Sequence, residues 1–269
     1  MKKIIQRIMR SSIFQPLWKK LFHTAKVGMN YWGGGSFLYS GELNSFKKIF
    51  THSKKENPFL IFDVGANEGN YALAVEKIIT ESNQTSKTNY QIHCFEPAKN
   101  TFLELKKNTE SKDTITINNV GLSETVSDCT LYVPTDSSVL SSVYAKHIIS
   151  REIENFTEEV IKMDTIDNYC LQNNIGHIDF LKIDVEGFEL NILKGATQLL
   201  QNNAIDFIQF EFGECMIDAR VFFRDFWNLL HEKFELYIIL PNGISAIKQY
   251  HDGLEVFHCA NILAKNKQR

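Results

Sequence analysis

Three stretches of this chain, "FLIFDV" (59–64), "IDFLKID" (178–184) and "IDFIQFEF" (205–212), are apolar almost from end to end. A strand with one wet face alternates apolar and polar residues, so strands that barely alternate must be covered on both faces. "YQIHCF" (90–95) and "TITINNV" (114–120) add two more strands. Helical spacing separates them: from Gly69 to about Ile79, from Lys99 to about Asn108, and again from Glu189. Strand alternating with helix gives a parallel sheet with helices on both faces. The last two strand-like runs, "FELYIIL" and "EVFHCANILA", are joined only by "PNGISAIKQYHDG", which has no room for a crossover helix, so they should pair antiparallel. The expected fold is α/β and Rossmann-like: a seven-stranded, mostly parallel sheet ending in an antiparallel hairpin.

Composition supports one such domain over residues 58–269, with 43% apolar and 23% charged residues and a net charge of −3. That charge argues against a nucleic-acid partner, which would demand a basic surface. The balance is uneven, however. Before Pro58 the only acids are Glu42 and Glu56, against many Lys and Arg, so residues 1–57 form a basic N-terminal extension with a glycine-rich loop, "GMNYWGGGSFLYSGE". Residues 2–20 alternate Lys and Arg with Ile, Leu, Phe and Trp around a break at Pro16. A helix docked on the catalytic domain or a dimer partner is the favoured expectation for residues 1–23; peripheral contact with an anionic membrane is the other. No apolar run is long enough to span a bilayer, the start makes a poor signal peptide, and the five scattered cysteines suit a reducing compartment, so a cytoplasmic location is expected. Nothing in the sequence specifies an oligomeric state.

The first chemistry lies in "FDVGANEGNY". Gly65 and Gly69 bracket the turn into a helix, where glycine permits close backbone approach to a ligand. The G-x-G-x-x-G spacing of dinucleotide sites is absent, and Asp63 before the turn is awkward beside a pyrophosphate but suits an ammonium. Glu96 ends the second strand, where an acid can accept from ribose hydroxyls. Together these favour a nucleoside carrying an amino-acid tail. The second chemistry lies in "DFLKIDVEGFELNILKG", where Asp184, Glu186 and Glu189 crowd one strand-to-helix junction. Unpaired buried carboxylates are costly, so each needs a reason. Asp184 falls at the strand tip beside the ligand crevice. Glu189 is placed to cap free backbone N–H groups, and Glu186 is open between a loop-fixing and a substrate role.

"FDVGANEGNY", "CFEPAKNTF", "NVGLSE", "TIDNY" and "LKIDVEGFELNILKG" occur in the order found in FkbM-type methyltransferases, and residues 58 to 211 resemble that family. The resemblance implies a class I methyltransferase fold, S-adenosylmethionine as cofactor, and a hydroxyl of a sugar, glycolipid or secondary metabolite as acceptor. It further implies Asp63, Gly65, Asn67 and Gly69 at the methionine end, Glu96 on the ribose, Asn119 to Ser123 beside the adenine, and Asp184 beside the sulfonium. Glu68 departs from the apolar residue relatives often carry. Asp184, Glu211 and His147 are the candidates to remove the acceptor proton. "SSVLSSVYAKH" and "YWGGGSFLYSGE" are the candidate acceptor loops. A metal held by Asp184, Glu211 and Glu214, a nicotinamide-dependent oxidoreductase, and a non-catalytic binding module stand as alternatives.

Overall fold

A computed structural model describes residues 9–31, 36–53, 58–82, 89–134, 141–144 and 155–269. Its centre is an eight-stranded sheet formed by β1 (Phe59–Val64), β2 (Tyr90–Phe95), β3 (Ile115–Asn118), β7 (Ile178–Ile183), β8 (Ile205–Phe212), β9 (Phe234–Leu240), β10 (Gly243–Ile247) and β11 (Ala260–Asn266). The order is β10-β9-β11-β8-β7-β1-β2-β3. β3, β2, β1, β7 and β8 run parallel, while β11 lies antiparallel between β8 and β9.

The expected antiparallel partnership at the C-terminus is present, between β9 and β11. The strand count differs from seven because the connection between them is not plain loop: Gly243–Ile247 folds back on β9 as an edge strand. A second, three-stranded sheet joins β4 (Gly121–Leu122), β5 (Ser127–Pro134) and β6 (Phe156–Asp164) in the order β4-β6-β5.

The period-two alternation of each strand sorts its side chains between two cores. Phe62, Val64, Phe95, Ile183 and Phe210 pack on one face, against α6 (Glu189–Lys194) and α9 (Phe223–Leu230). Phe59, Ile61, Ile92 and Phe180 pack on the other, against α2 (Glu42–His52) and α3 (Asn70–Ser82). Phe46 and Phe50 of α2 are buried there and stack edge-on against Phe59 and Phe180. Asp63 and Lys182 follow the same alternation, so both point to the α2/α3 face.

The remaining helices are α1 (Gln15–Gly28), α4 (Lys99–Thr109), α5 (Ile166–Gln172), α7 (Thr197–Gln201) and α8 (Cys215–Ala219). Pro16 does not break α1 but opens it, occupying the first turn where its missing N–H costs nothing. α1 holds no buried residue. Docking of its apolar face on the catalytic domain is therefore not met over these residues, and residues 1–8 lie outside the described ones. No helix among the described residues is long and apolar enough to cross a membrane.

Candidate active site

The turn after β1 passes directly over the end of β7. Gly65 adopts φ +81°, and a Cβ there would meet the Asp184 carbonyl oxygen at 1.9 Å, so only glycine fits. Gly65 N and Ala66 N both donate to the Phe95 carbonyl at 3.0 Å, tying the turn to the tip of β2. Glu96 completes the tie. Its Oε2 accepts from Asn67 N at 3.0 Å and its Oε1 from Ala98 N at 2.9 Å. Burial outweighs those donors and pushes its carboxyl up to about 7.

The junction after β7 is equally specific. Glu186 and Gly187 both have positive φ, +55° and +108°, reversing the chain in two residues. Glu189 is fully buried beneath them and accepts from Val185 N at 3.1 Å and Gly187 N at 3.0 Å. It is the cap expected for it. Ser142 Oγ donates to the Glu186 carbonyl, joining the serine-rich loop to this turn.

These two turns form one wall of a cavity of about 580 Å³, whose lining includes Gly65, Asn67, Glu96, Asp184, Glu186 and Glu211. Its floor is a buried charge network. Lys182 Nζ lies 3.4 Å from Asp63 Oδ1, 3.2 Å from Asp184 Oδ2 and 4.7 Å from the centre of the Tyr71 ring. Burial opposes the charge of Lys182, but the carboxylates of Asp184, Asp63 and Glu42 prevail and hold it above its ordinary value. Glu42, the first residue of α2, accepts from Gln209 Nε2 at 2.6 Å, Ser40 Oγ at 2.7 Å and Asn261 Nδ2 at 3.1 Å. Burial, then the charges of Asp184 and Glu186, raise Glu211 well above a normal carboxyl. Two carboxylates thus face one space with different surroundings: Asp184 is partly solvated and ion-paired, whereas Glu211 is held towards its protonated form.

Not every expected residue reaches this cavity. Asp63 is wholly buried behind its wall, paired with Lys182 rather than lining it. Gly69 serves packing instead: a Cβ there would meet Leu105 of α4 at 2.7 Å. Asn119 is spent on the Glu96 and Pro97 carbonyls, each at 2.9 Å, and so braces the β2 tip from outside. Ser123 is wedged between Asp164, whose carbonyl accepts from its N–H at 2.7 Å, and Gly195. His147 lies outside the described residues. The carboxylates of Asp184, Glu211 and Glu214 do not converge as metal ligands. Among the described residues, His177, Asp179 and Asp206 do, at the opposite, N-terminal ends of β7 and β8, where Arg269 Nε also lies 2.7 Å from Asp206.

Lys182 and Glu42 were missed by the sequence reading. Lys182 carries a signal: a lysine inside a strand buried on both faces, two residues before an aspartate, must be paired. Glu42 carries none, since apart from Ser40 its partners come from β8 and β11.

The family model described as Methyltransferase FkbM domain matches residues 63–236, more than half of the chain. No curated protein sequence matches it. Among solved structures, an FkbM methyltransferase from Methylobacillus flagellatus KT is similar at 15% identity and a TM-score of 0.44, over 81% of this chain and 47% of its own, so the chain spans about half of that protein. The human methyltransferase 10 domain containing protein is similar at 12% identity and a TM-score of 0.40, over 86% and 83% of the two chains. A fibrillarin pre-rRNA processing protein from Methanococcus jannaschii is similar at 10% identity and a TM-score of 0.41, over 78% and 67%. The match that begins at Asp63, runs through both turns of the cavity and ends in β9 identifies the chain as a member of the FkbM methyltransferase family.

Proposed function

We propose that the chain is an S-adenosylmethionine-dependent O-methyltransferase acting on a hydroxyl of a sugar, glycolipid or secondary metabolite. The observation that carries this is the set of residues lining the cavity. Its lining combines a bare glycine turn and Glu96 with the two carboxylates Asp184 and Glu211. The residues fit that cofactor. Glu96 has lone pairs left over to accept from ribose hydroxyls, and the acids around Lys182 favour an ammonium over a pyrophosphate. The same acidity speaks against a nicotinamide dinucleotide.

S-adenosylmethionine, when bound, supplies an electrophilic methyl on a sulfonium. What remains for the chain is alignment and one proton. Asp184 takes the acceptor hydroxyl proton as the oxygen attacks, and Glu211, protonated, donates a hydrogen bond that fixes the acceptor. Glu42, Glu186 and Glu214 also line the cavity, against Lys182 as the compensating cation. Carboxylates accept well from polyol hydroxyls and repel phosphates, so the acceptor carries no phosphate near the reacting oxygen and is not a nucleic acid.

Calorimetry with S-adenosylhomocysteine and with NAD is the first test, with binding expected only for the former. Release of S-adenosylhomocysteine is then measured with neutral saccharides, their phosphorylated counterparts and RNA. Preference for either phosphate-bearing acceptor would overturn the assignment.

A further inference from the structure

The helix α1 is amphipathic, yet it holds no buried residue. At 100° per residue, Phe14, Leu17, Trp18, Leu21, Phe22 and Ala25 share one side, and Lys19, Lys20, His23 and Lys26 share the other. Leu17 and Leu21 are each 48% exposed and Phe22 is 63% exposed, so the apolar side faces away from the folded body. A contiguous apolar face of this kind marks an interaction surface. The charge identifies what covers it. Residues 1–41 contain Lys2, Lys3, Arg7, Arg10, Lys19, Lys20 and Lys26 and not one Asp or Glu. A second copy meeting the first through this helix would bring two cationic flanks together, whereas an anionic bilayer satisfies the apolar and the basic side at once.

We propose that α1 lies in the surface of an anionic lipid bilayer, with Phe14, Leu17, Trp18, Leu21 and Phe22 in the acyl boundary and its lysines among the headgroups. The place of the helix fits this. Its last turn contacts the body through Lys26 and His258, the residue before cavity-lining Cys259, and Asn30 Nδ2 donates to the Ile239 carbonyl at 2.8 Å. Leu38 and Tyr39, next in the chain to cavity-lining Ser36 and Phe37, are exposed apolar side chains as well. A helix lying on lipid therefore holds the cavity near the headgroups. The proposal does not depend on the reaction catalysed.

The test is co-sedimentation of the full chain with vesicles of phosphatidylcholine plus phosphatidylglycerol, against phosphatidylcholine alone, at low and high salt. Binding is expected only to the anionic vesicles, weakening with salt, with a blue shift of Trp18 fluorescence that Trp18→Phe removes. Lys19→Ala with Lys20→Ala should weaken partitioning roughly 25-fold, about fivefold per lysine. Leu21→Asp with Phe22→Asp should abolish it. All four side chains are exposed, so melting temperatures should stay at the wild-type value and exclude unfolding as the cause. Equal binding to both vesicle types, binding to neither at low salt, or unaltered binding by the variants would overturn the proposal. So would a lipid-free dimer in analytical ultracentrifugation that Leu21→Asp with Phe22→Asp dissociates, because a second copy would then cover the face.

Discussion

Replacing Lys182 by Met tests the central claim about the cavity floor, that a fully buried Asp63 stays charged only because of its neighbour. Asp63 has no exposure, and Lys182 Nζ at 3.4 Å is the cation that offsets its burial. Without it, Asp63 must either remain an uncompensated buried anion or take a proton. Protonation is the lesser cost. At pH 7, holding a proton on a group that ionises near 4 when unfolded costs about 1.4 kcal/mol per pH unit, or about 4 kcal/mol in all. That agrees with the roughly 3–5 kcal/mol measured when one partner of a buried pair is removed. For a chain of this size it lowers Tm by roughly 5–9 °C. The sign follows from proton counting. In Lys182→Met the folded state binds one more proton than the unfolded state above about pH 4, so the destabilisation grows with pH, from about 1.4 kcal/mol at pH 5 to about 4 at pH 7. Urea denaturation of both proteins across that range is the assay, with Asp63→Asn added to Lys182→Met as the second variant. The double variant lacks Asp63 and should lose the part of the pH slope that its protonation supplies. A destabilisation of Lys182→Met that stays constant with pH would refute the reasoning.

Asp184→Asn should lower kcat by at least about 10²-fold with near-wild-type S-adenosylhomocysteine affinity in calorimetry, since it removes a proton acceptor and keeps the shape. Affinity for S-adenosylhomocysteine should be full above pH 7 and fall below it, by up to about tenfold per unit, as Glu96 protonates. Glu96→Gln should bind more weakly and show no such slope in a calorimetric pH series. Gly65→Ala forces a side chain onto the Asp184 carbonyl at a positive φ, and should cost at least about 2 kcal/mol in denaturation together with loss of cofactor binding. Glu189→Ala strands Val185 N and Gly187 N, at about 1–3 kcal/mol for each N–H left without a partner, and Glu189→Gln should recover part of that loss in the same experiment.

The sheet was legible because burial on both faces leaves a plain trace: "FLIFDV" and "IDFIQFEF" fall where they were read. β10 was not. Gly243–Ile247 is a short edge strand whose pairing is fixed by β9 alone, and its residues are partly exposed, so no apolar run announces it. The cavity was legible where a local rule applied. Gly65 and Glu96 sit at strand tips, and Glu189 sits where free N–H groups need an acceptor. Sequence was silent on the protein partners of the other residues near the tips. Gly69 answers to Leu105, Asn119 to two carbonyls and Asp63 to Lys182, and each of those partners is distant in sequence. What covers α1 was not legible for a different reason: amphipathicity states that a face needs cover and is silent on what supplies it.

The cavity floor connects these partners in a way that also explains the position of the N-terminal extension. In the register of the parallel strands Asp63 pairs with Lys182 and Lys182 with Gln209, so period-two alternation places all three in one row on the α2/α3 face. Two residues further along, Asp184 follows β7 and Glu211 is the last but one residue of β8, where it pairs with Asn261 of β11. Apolar helices covering such a polar row would leave Gln209 and Asn261 without acceptors in a dry interior, at about 1–3 kcal/mol each. Glu42 meets both from the first turn of α2, while Phe46 and Phe50, further along the same helix, seal the apolar core beside them. The segment before β1 is thus bonded into the floor of the cavity through one carboxylate. Glu42, which adds to Asp184 and Asp63 in holding the charge of Lys182, lies outside the stretch matched to the family.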